Sequence, residues 1–129
     1  MKIGILTFQA SHNCGSMLQA FALQYVIANK FHHECELINY ANNVSRNMYG
    51  FFDHRINRAS IKRNFNTLFH LRTFKESFRE YEDFSNKHLV LSQGDYRTGK
   101  ELSEIASKYD MIIAGGDQVW NVCCADAGK

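Results

Sequence analysis

The sequence predicts an α/β fold, a Rossmann-like parallel sheet in a single domain of 129 residues. Two aliphatic runs, residues 2–8 and 109–114, are typical of buried parallel strands. Residues 16–31 repeat apolar side chains at helical spacing. A polar, glycine-containing loop follows each of the two runs. Ligands of parallel α/β sheets bind at such loops, beyond the carboxyl ends of the strands.

The first forty residues predict a strand–helix–strand unit. Residues 2–8 form its first strand and residues 35–40 its second. The helix between them runs from about residue 16 to residue 31, with the Ser16 hydroxyl as its predicted cap. The crossover of such a unit is right-handed.

The remainder of the chain predicts loops and helices before the last strand. Residues 44–60 are predicted to form a loop with short helical segments. From Phe65 onward, aromatic residues recur at helical intervals. We expect this aromatic stripe to pack rather than to stack on bases. A short strand at 87–92, a turn at Gly94 and a helix at 96–108 follow. The chain has no proline, so these helices lack their commonest stop signal.

The positive charge is concentrated in the middle of the chain. The net charge is +2, but residues 44–79 hold eight Lys or Arg against Asp53 and Glu76, a local net of +6. The patch has two interpretations: it is either a solvated helix face or a surface that binds an anionic polymer. Because no nucleic-acid motif accompanies it, we rank a nucleic-acid partner last.

The cysteine pattern and the hydropathy indicate the redox state of the thiols and the cellular compartment to expect. The four cysteines form no Cys-x-x-Cys pair, so we expect free thiols and no metal site. Nothing in the sequence calls for a cofactor. No apolar stretch is long enough for a membrane span, and the N-terminus lacks a signal-peptide pattern. We therefore expect a cytoplasmic protein.

The loop after the first strand offers the first candidate site. His12 is a possible acid–base group because its ordinary pKa is near neutrality. Around it, the residues that could bind substrate are Asn13, Gly15, Ser16 and Gln19. The free N–H groups of a helix start would favour an anion or a sugar hydroxyl. In the alternative reading, His12 and Asn13 only close the loop. Neither a dinucleotide fingerprint nor a P-loop is present.

The loop after the last strand offers the second candidate site. Gly115 and Gly116 let the backbone approach a ligand closely, and Asp117 is a second candidate for proton transfer. The remaining candidates could bind sugar hydroxyls or stack on a sugar ring: Gln118, Trp120 and Asn121. In the alternative reading, Trp120 packs under the first loop and Asp117 caps a turn.

Two motifs in these loops resemble the polysaccharide pyruvyl transferase family. The first is Thr7-Phe8 followed by His12-Asn13-x-Gly15 and Leu18-Gln19-Ala20, with Ile38-Asn39-Tyr40 after it. The second is Tyr109-Asp110 followed by Gly115-Gly116-Asp117-Gln118-Val119-Trp120-Asn121. The family pattern at the second motif is commonly Gly-Ser-Asp-Gln-Val-Trp-Asn, so Gly116 departs from it.

The resemblance implies an enzyme that transfers a pyruvyl group from phosphoenolpyruvate to a sugar of a surface polysaccharide. It implies the N-terminal, acceptor-side half of a glycosyltransferase-B-like fold. A C-terminal half is expected to bind the phosphoenolpyruvate, so residues 1–129 alone are expected to be inactive. The alternative function is a non-catalytic sugar-binding or interaction module derived from this fold.

Overall fold

The computed structural model describes residues 1–8, 11–41 and 58–116, apart from the side chains of Arg63 and Asn66. In chain order the elements are β1 Lys2–Leu6, α1 Cys14–Tyr25, β2 Glu34–Leu37, α2 Arg58–Phe69, α3 Leu71–His88, α4 Gly99–Ala106 and β3 Met111–Ala114. A single π-helical turn, Val26–Lys30, extends α1.

The three strands form one parallel sheet in the order β2-β1-β3. Ile3 pairs with Cys35 on one side and with Met111 on the other, so β1 is the central strand. The fold is therefore mixed α/β around a small parallel sheet, which confirms the predicted class and is compatible with a Rossmann-like half.

The two faces of the sheet are covered by different helices. On one face Ile3 and Ile5 of β1 pack with Met17 and Ala20 of α1 and with Leu37 of β2. These aliphatic side chains alternate along the strand with Gly4, so they share one face. On the other face a smaller cluster joins Ile38 to Ile105 and Tyr109.

The start of α1 differs from the prediction. The helix begins at Cys14, and the side chain of Asn13, rather than that of Ser16, caps it. The predicted end near residue 31 is close, because the π-helical turn carries the helical path to Lys30. Gln24 then ties α1 to the chain after α3: its amide donates to the Val90 carbonyl at 2.9 Å, and its oxygen accepts the Val90 N–H at 3.0 Å.

The predicted strand at 87–92 is wrong. α3 continues to His88, and only Leu91 pairs with β2, through one parallel bridge to Leu37. The turn at Gly94 is confirmed, with a φ of 115° that favours glycine. The helix predicted at 96–108 is shorter, because Thr98 caps it and sets its start at Gly99.

The predicted aromatic stripe packs only in part. Tyr81 and Phe84 of α3 contact the main core, as expected. In contrast, Phe65 and Phe69 of α2 are 61% and 81% exposed. The side of α2 that is buried carries Ser60 and Thr67, at 2% and 4% exposure, which turns its aromatic residues outward.

The predicted loop at 44–60 falls mostly on residues 42–57, which lie outside the described residues; residues 58–60 already belong to α2. Among the described helices, none combines the length and the apolar character that crossing a membrane requires.

Candidate functional site

The two candidate loops leave neighbouring strands at the same edge of the sheet. Leu6 at the end of β1 pairs with Ala114 at the end of β3. Immediately beyond, the Gly115 N–H donates to the Leu6 carbonyl at 2.8 Å. Because parallel strands end at one edge, both loops begin within hydrogen-bonding distance of each other.

The first loop is held by its own hydrogen bonds. The buried Ser11 donates its hydroxyl to the Phe8 carbonyl at 2.7 Å, and its N–H reaches the same oxygen at 3.2 Å. The Asn13 N–H in turn donates to the Ser11 carbonyl at 2.7 Å. These bonds fix the backbone that carries His12 into the start of α1.

Asn13 is engaged as a helix cap. Its side-chain oxygen accepts the N–H groups of Gly15 and Ser16 at 2.9 and 3.3 Å. The predicted free N–H groups of the helix start are therefore already satisfied at these two residues. A binding role for Gly15 and Ser16 stays a prediction, as does one for Gln19, which is exposed on α1.

His12 is brought against α3. Its Nε2 lies 2.9 Å from Oε1 of Glu82, and its side chain is only 17% exposed. Phe78 meets the ring edge-on at 4.1 Å between centroids, and Tyr81 stacks on it at 5.4 Å. The carboxylate and the two aromatic rings hold the imidazole in one orientation, as an orienting carboxylate does for a general base.

A groove of about 280 Å³ opens between the start of α1 and α3. The residues that line it are Cys14, Met17, Leu18, Ser77, Glu80, Tyr81 and Phe84. Tyr81 joins the groove to His12, since its ring stacks on the imidazole while also forming part of the wall. The groove combines an apolar floor with thiol, hydroxyl, phenol and carboxylate groups.

Cys14 and Tyr81 form a polar pair in this groove, with 3.2 Å between sulfur and oxygen. The hydrogen bond with Cys14, and then partial burial, raise the pKa of Tyr81 above its usual value. The phenol therefore stays protonated at neutral pH and remains a hydrogen-bond donor or acceptor.

Of the second loop, only the two glycines lie within the described residues. Gly115 is buried, and a Cβ there would lie 2.8 Å from a methyl group of Leu23. Gly116 has a φ of 112°, which favours glycine. The candidates Asp117, Gln118, Trp120 and Asn121 lie outside the described residues.

The described part of the basic patch is solvated. Arg72 pairs with Glu76 at 3.0 Å and Arg79 approaches Asp83 at 3.9 Å, each four residues apart on α3. All four side chains are more than half exposed. On α3 the basic patch is therefore a solvated helix face, which is the first of the two interpretations offered by the sequence.

Sequence reasoning missed the α3 wall of the groove. Glu82 and Tyr81 lie about 70 positions from His12 and Cys14 along the chain, so no local spacing relates them. The one available signal was the aromatic recurrence through Phe78, Tyr81 and Phe84, which predicted a helix with a packed face but not what it packs against.

Comparisons of the chain with protein-family models, with curated proteins and with solved structures found no match.

Proposed function

We propose that this chain is the acceptor-side domain of a polysaccharide pyruvyl transferase. Its groove would receive the acceptor sugar, within a glycosyltransferase-B-like enzyme whose other half binds phosphoenolpyruvate. The observation that carries the proposal is His12, held 2.9 Å from Glu82 at the carboxyl end of β1 and stacked on a groove residue. The two sequence motifs support the choice of reaction.

The His12–Glu82 pair suits removal of a proton from an acceptor hydroxyl. When Nε2 donates its proton to the carboxylate, Nδ1 carries the lone pair that accepts one. The carboxylate then stabilises the imidazolium that forms. Asp117 remains the second candidate for this step.

The overall transfer requires two proton movements. Two sugar oxygens bond to the central carbon of the pyruvyl group, and the bond from that carbon to the phosphate oxygen breaks. Of the two hydroxyl protons, one ends on the new methyl group and one on the released phosphate. A base at the acceptor is thus needed for each bond formed.

The size and lining of the groove suit one sugar ring. Its volume of about 280 Å³ is just below the roughly 300–1,000 Å³ usual for ligand pockets. Ser77, Glu80 and Tyr81 could meet hydroxyl groups, while Phe84 and Met17 could contact the apolar face of the ring.

Sugar binding is the direct test on this chain. We expect monosaccharides and disaccharides titrated into the ¹⁵N-labelled protein to shift the amide signals of residues 11–16 and of Ser77 and Tyr81. Glu80→Gln should weaken the binding, whereas Lys100→Gln, on an exposed site of α4, should not. Shifts confined to other parts of the sheet, or none with any sugar, would exclude the groove as the acceptor site.

Catalysis is tested in the two-domain enzyme that the resemblance implies. His12→Gln should lower phosphate release from phosphoenolpyruvate by roughly 10²- to 10⁴-fold while leaving the KM for the sugar nearly unchanged. Glu82→Gln should lower it less, and His70→Gln, at an exposed site between α2 and α3, should have no effect. Full activity in His12→Gln would assign the proton transfer to another residue.

A non-catalytic sugar-binding module is the second candidate. It is favoured by Asn13, whose side-chain oxygen already accepts the N–H groups of Gly15 and Ser16 as the cap of α1. Sugar binding in the groove, together with no phosphate release in the complete protein, would select this function.

A further inference from the structure

Helix α2 has an inverted distribution of side chains. Ser60, Asn64 and Thr67, at the spacing of one helix face, lie on its buried or half-buried side. The exposed side carries Ile61, Phe65, Leu68 and Phe69, which are 53%, 61%, 60% and 81% exposed. We call these four residues the α2 apolar face. Contiguous apolar surface of this kind marks an interaction site.

Cations border this face. Arg58 precedes Phe65 by seven residues, and Lys62 precedes Phe69 by seven, so each lies on the same side of α2 as an exposed phenylalanine. Residues 58–75 contain five Lys or Arg and no Asp or Glu. Phe74 and Lys75, both exposed near the start of α3, continue the same combination.

We propose that the α2 apolar face docks on an anionic lipid surface. A helix that lies in a membrane interface presents bulky apolar side chains to the acyl boundary and Lys or Arg to the headgroups, which is the arrangement of α2. Negatively charged headgroups complement Arg58, Lys62 and Lys75, the exposed cations beside these apolar side chains. The long Arg58 and Lys62 side chains can keep their charges at the headgroups while the phenylalanines insert.

Charge argues against a second copy of the chain as the occupant. A symmetric dimer would place this face, with its cations, against itself. A nucleic acid would satisfy the cations but would bring a charged backbone against Ile61 and Leu68. The proposal does not rest on the transferase function, because the groove is built by α1 and α3.

The test is co-sedimentation of the purified chain with lipid vesicles. We expect binding to vesicles of phosphatidylcholine mixed with phosphatidylglycerol and little binding to phosphatidylcholine alone. Added salt should weaken the binding because it screens the headgroup charge. Phe65→Ser with Phe69→Ser should weaken it about tenfold or more. Arg58→Glu with Lys62→Glu should weaken it by about fivefold or more per residue.

Matched controls distinguish binding through the α2 apolar face from nonspecific adsorption to the vesicles. Phe31→Ser with Val90→Ser removes two apolar side chains that are 58% and 59% exposed. Lys100→Glu with Lys108→Glu reverses two exposed charges elsewhere. Both pairs should bind vesicles as the unmodified chain does, with unchanged circular dichroism.

Four results would overturn the proposal. The first is no binding to anionic vesicles, and the second is an equal loss of vesicle binding in the control pairs. The third is a dimer in solution that dissociates in Phe65→Ser with Phe69→Ser. The fourth is tighter binding to a single-stranded RNA oligonucleotide than to vesicles, with the same variants losing that binding. The third would assign the face to self-association and the fourth to nucleic acid.

Discussion

Gly4 of β1 is closely approached by side chains on the face of the sheet that α4 covers. A Cβ at this position would lie 2.9 Å from Cδ2 of Tyr109 and 3.0 Å from Cδ1 of Ile38. The Tyr109 ring cannot easily give way, because its hydroxyl donates to Glu36 at 2.8 Å. The absence of a side chain at Gly4 therefore sets how closely Tyr109 packs on β1.

Gly4→Ala should destabilise the protein by about 1–3 kcal/mol, the usual cost of overpacking a core. Urea unfolding followed by circular dichroism measures it. Gly99→Ala is the matched control, since a Cβ there meets nothing within 4 Å. That control should be neutral or slightly stabilising, because alanine favours a helix over glycine. Equal losses in both variants would contradict the packing argument.

Tyr109 makes the stability sensitive to alkaline pH. Burial first, and then the hydrogen bond to Glu36, raise the pKa of Tyr109 well above its ordinary value. A group whose pKa is raised in the folded state binds its proton more tightly there than in the unfolded chain. Its contribution is complete below the unfolded pKa of about 10 and is lost as the pH rises above that value.

The free energy of unfolding should therefore fall more steeply above about pH 10 in the unmodified chain than in Tyr109→Phe. At neutral pH the variant should be less stable by about 1 kcal/mol, for the lost hydrogen bond. Tyr25→Phe, at an exposed position, is the control. Parallel pH profiles for Tyr109→Phe and the unmodified chain would show that Tyr109 does not set the alkaline limit.

At the scale of elements, α4 depends on its cap. Thr98 accepts the Glu101 N–H at 3.3 Å, and the Glu101 carboxylate accepts the N–H and the hydroxyl of Thr98, each at 2.9 Å. The carboxylate also accepts the Arg97 N–H, and these bonds lower the pKa of Glu101. Because a helix of eight residues is marginal by itself, this reciprocal pair fixes where α4 begins.

Thr98→Ala should lower stability by about 1 kcal/mol, whereas Thr98→Ser, which keeps the hydroxyl, should lower it much less. Thermal unfolding compares the two. The Glu101 contribution is present above the ordinary glutamate pKa of about 4.3 and is lost as the pH falls, so the difference between the variants should narrow in acid. The part that remains comes from the Glu101 N–H bond to the Thr98 hydroxyl. A constant difference down to low pH would show that the carboxylate takes no part in the cap.

The elements differ in how well their sequences predict them. β1 is predictable because Ile3 and Ile5 face one core and no competing pattern covers them. The start of α1 is not, since asparagine and serine cap equally well and both occur there, at Asn13 and Ser16. The end of α3 is not predictable either: without a proline, only the tertiary contacts of Leu89 show that the helix has stopped.

At the scale of the whole molecule, the sequence predicts that the two candidate loops meet, but it does not predict the α3 wall beside them. Sheet geometry brings the two loops to one edge, which follows from any parallel pairing of β1 and β3. The α3 wall with Glu82 requires the path of the chain through residues 58–88, and side-chain packing rather than local spacing decides that path. Phe78, Tyr81 and Phe84 of the aromatic stripe pack there, whereas Phe65 and Phe69 belong to the α2 apolar face.

The order of the strands also has a consequence for synthesis. β1 is synthesised before both of its neighbours, and Lys2 and Asp110, at the starts of β1 and β3, are 108 positions apart. At ordinary translation rates the ribosome needs about 5–20 s to cover that distance. During that time β1 can pair with β2 but has an open edge on its other side. The nascent chain therefore presents a template for wrong strand pairing until β3 emerges.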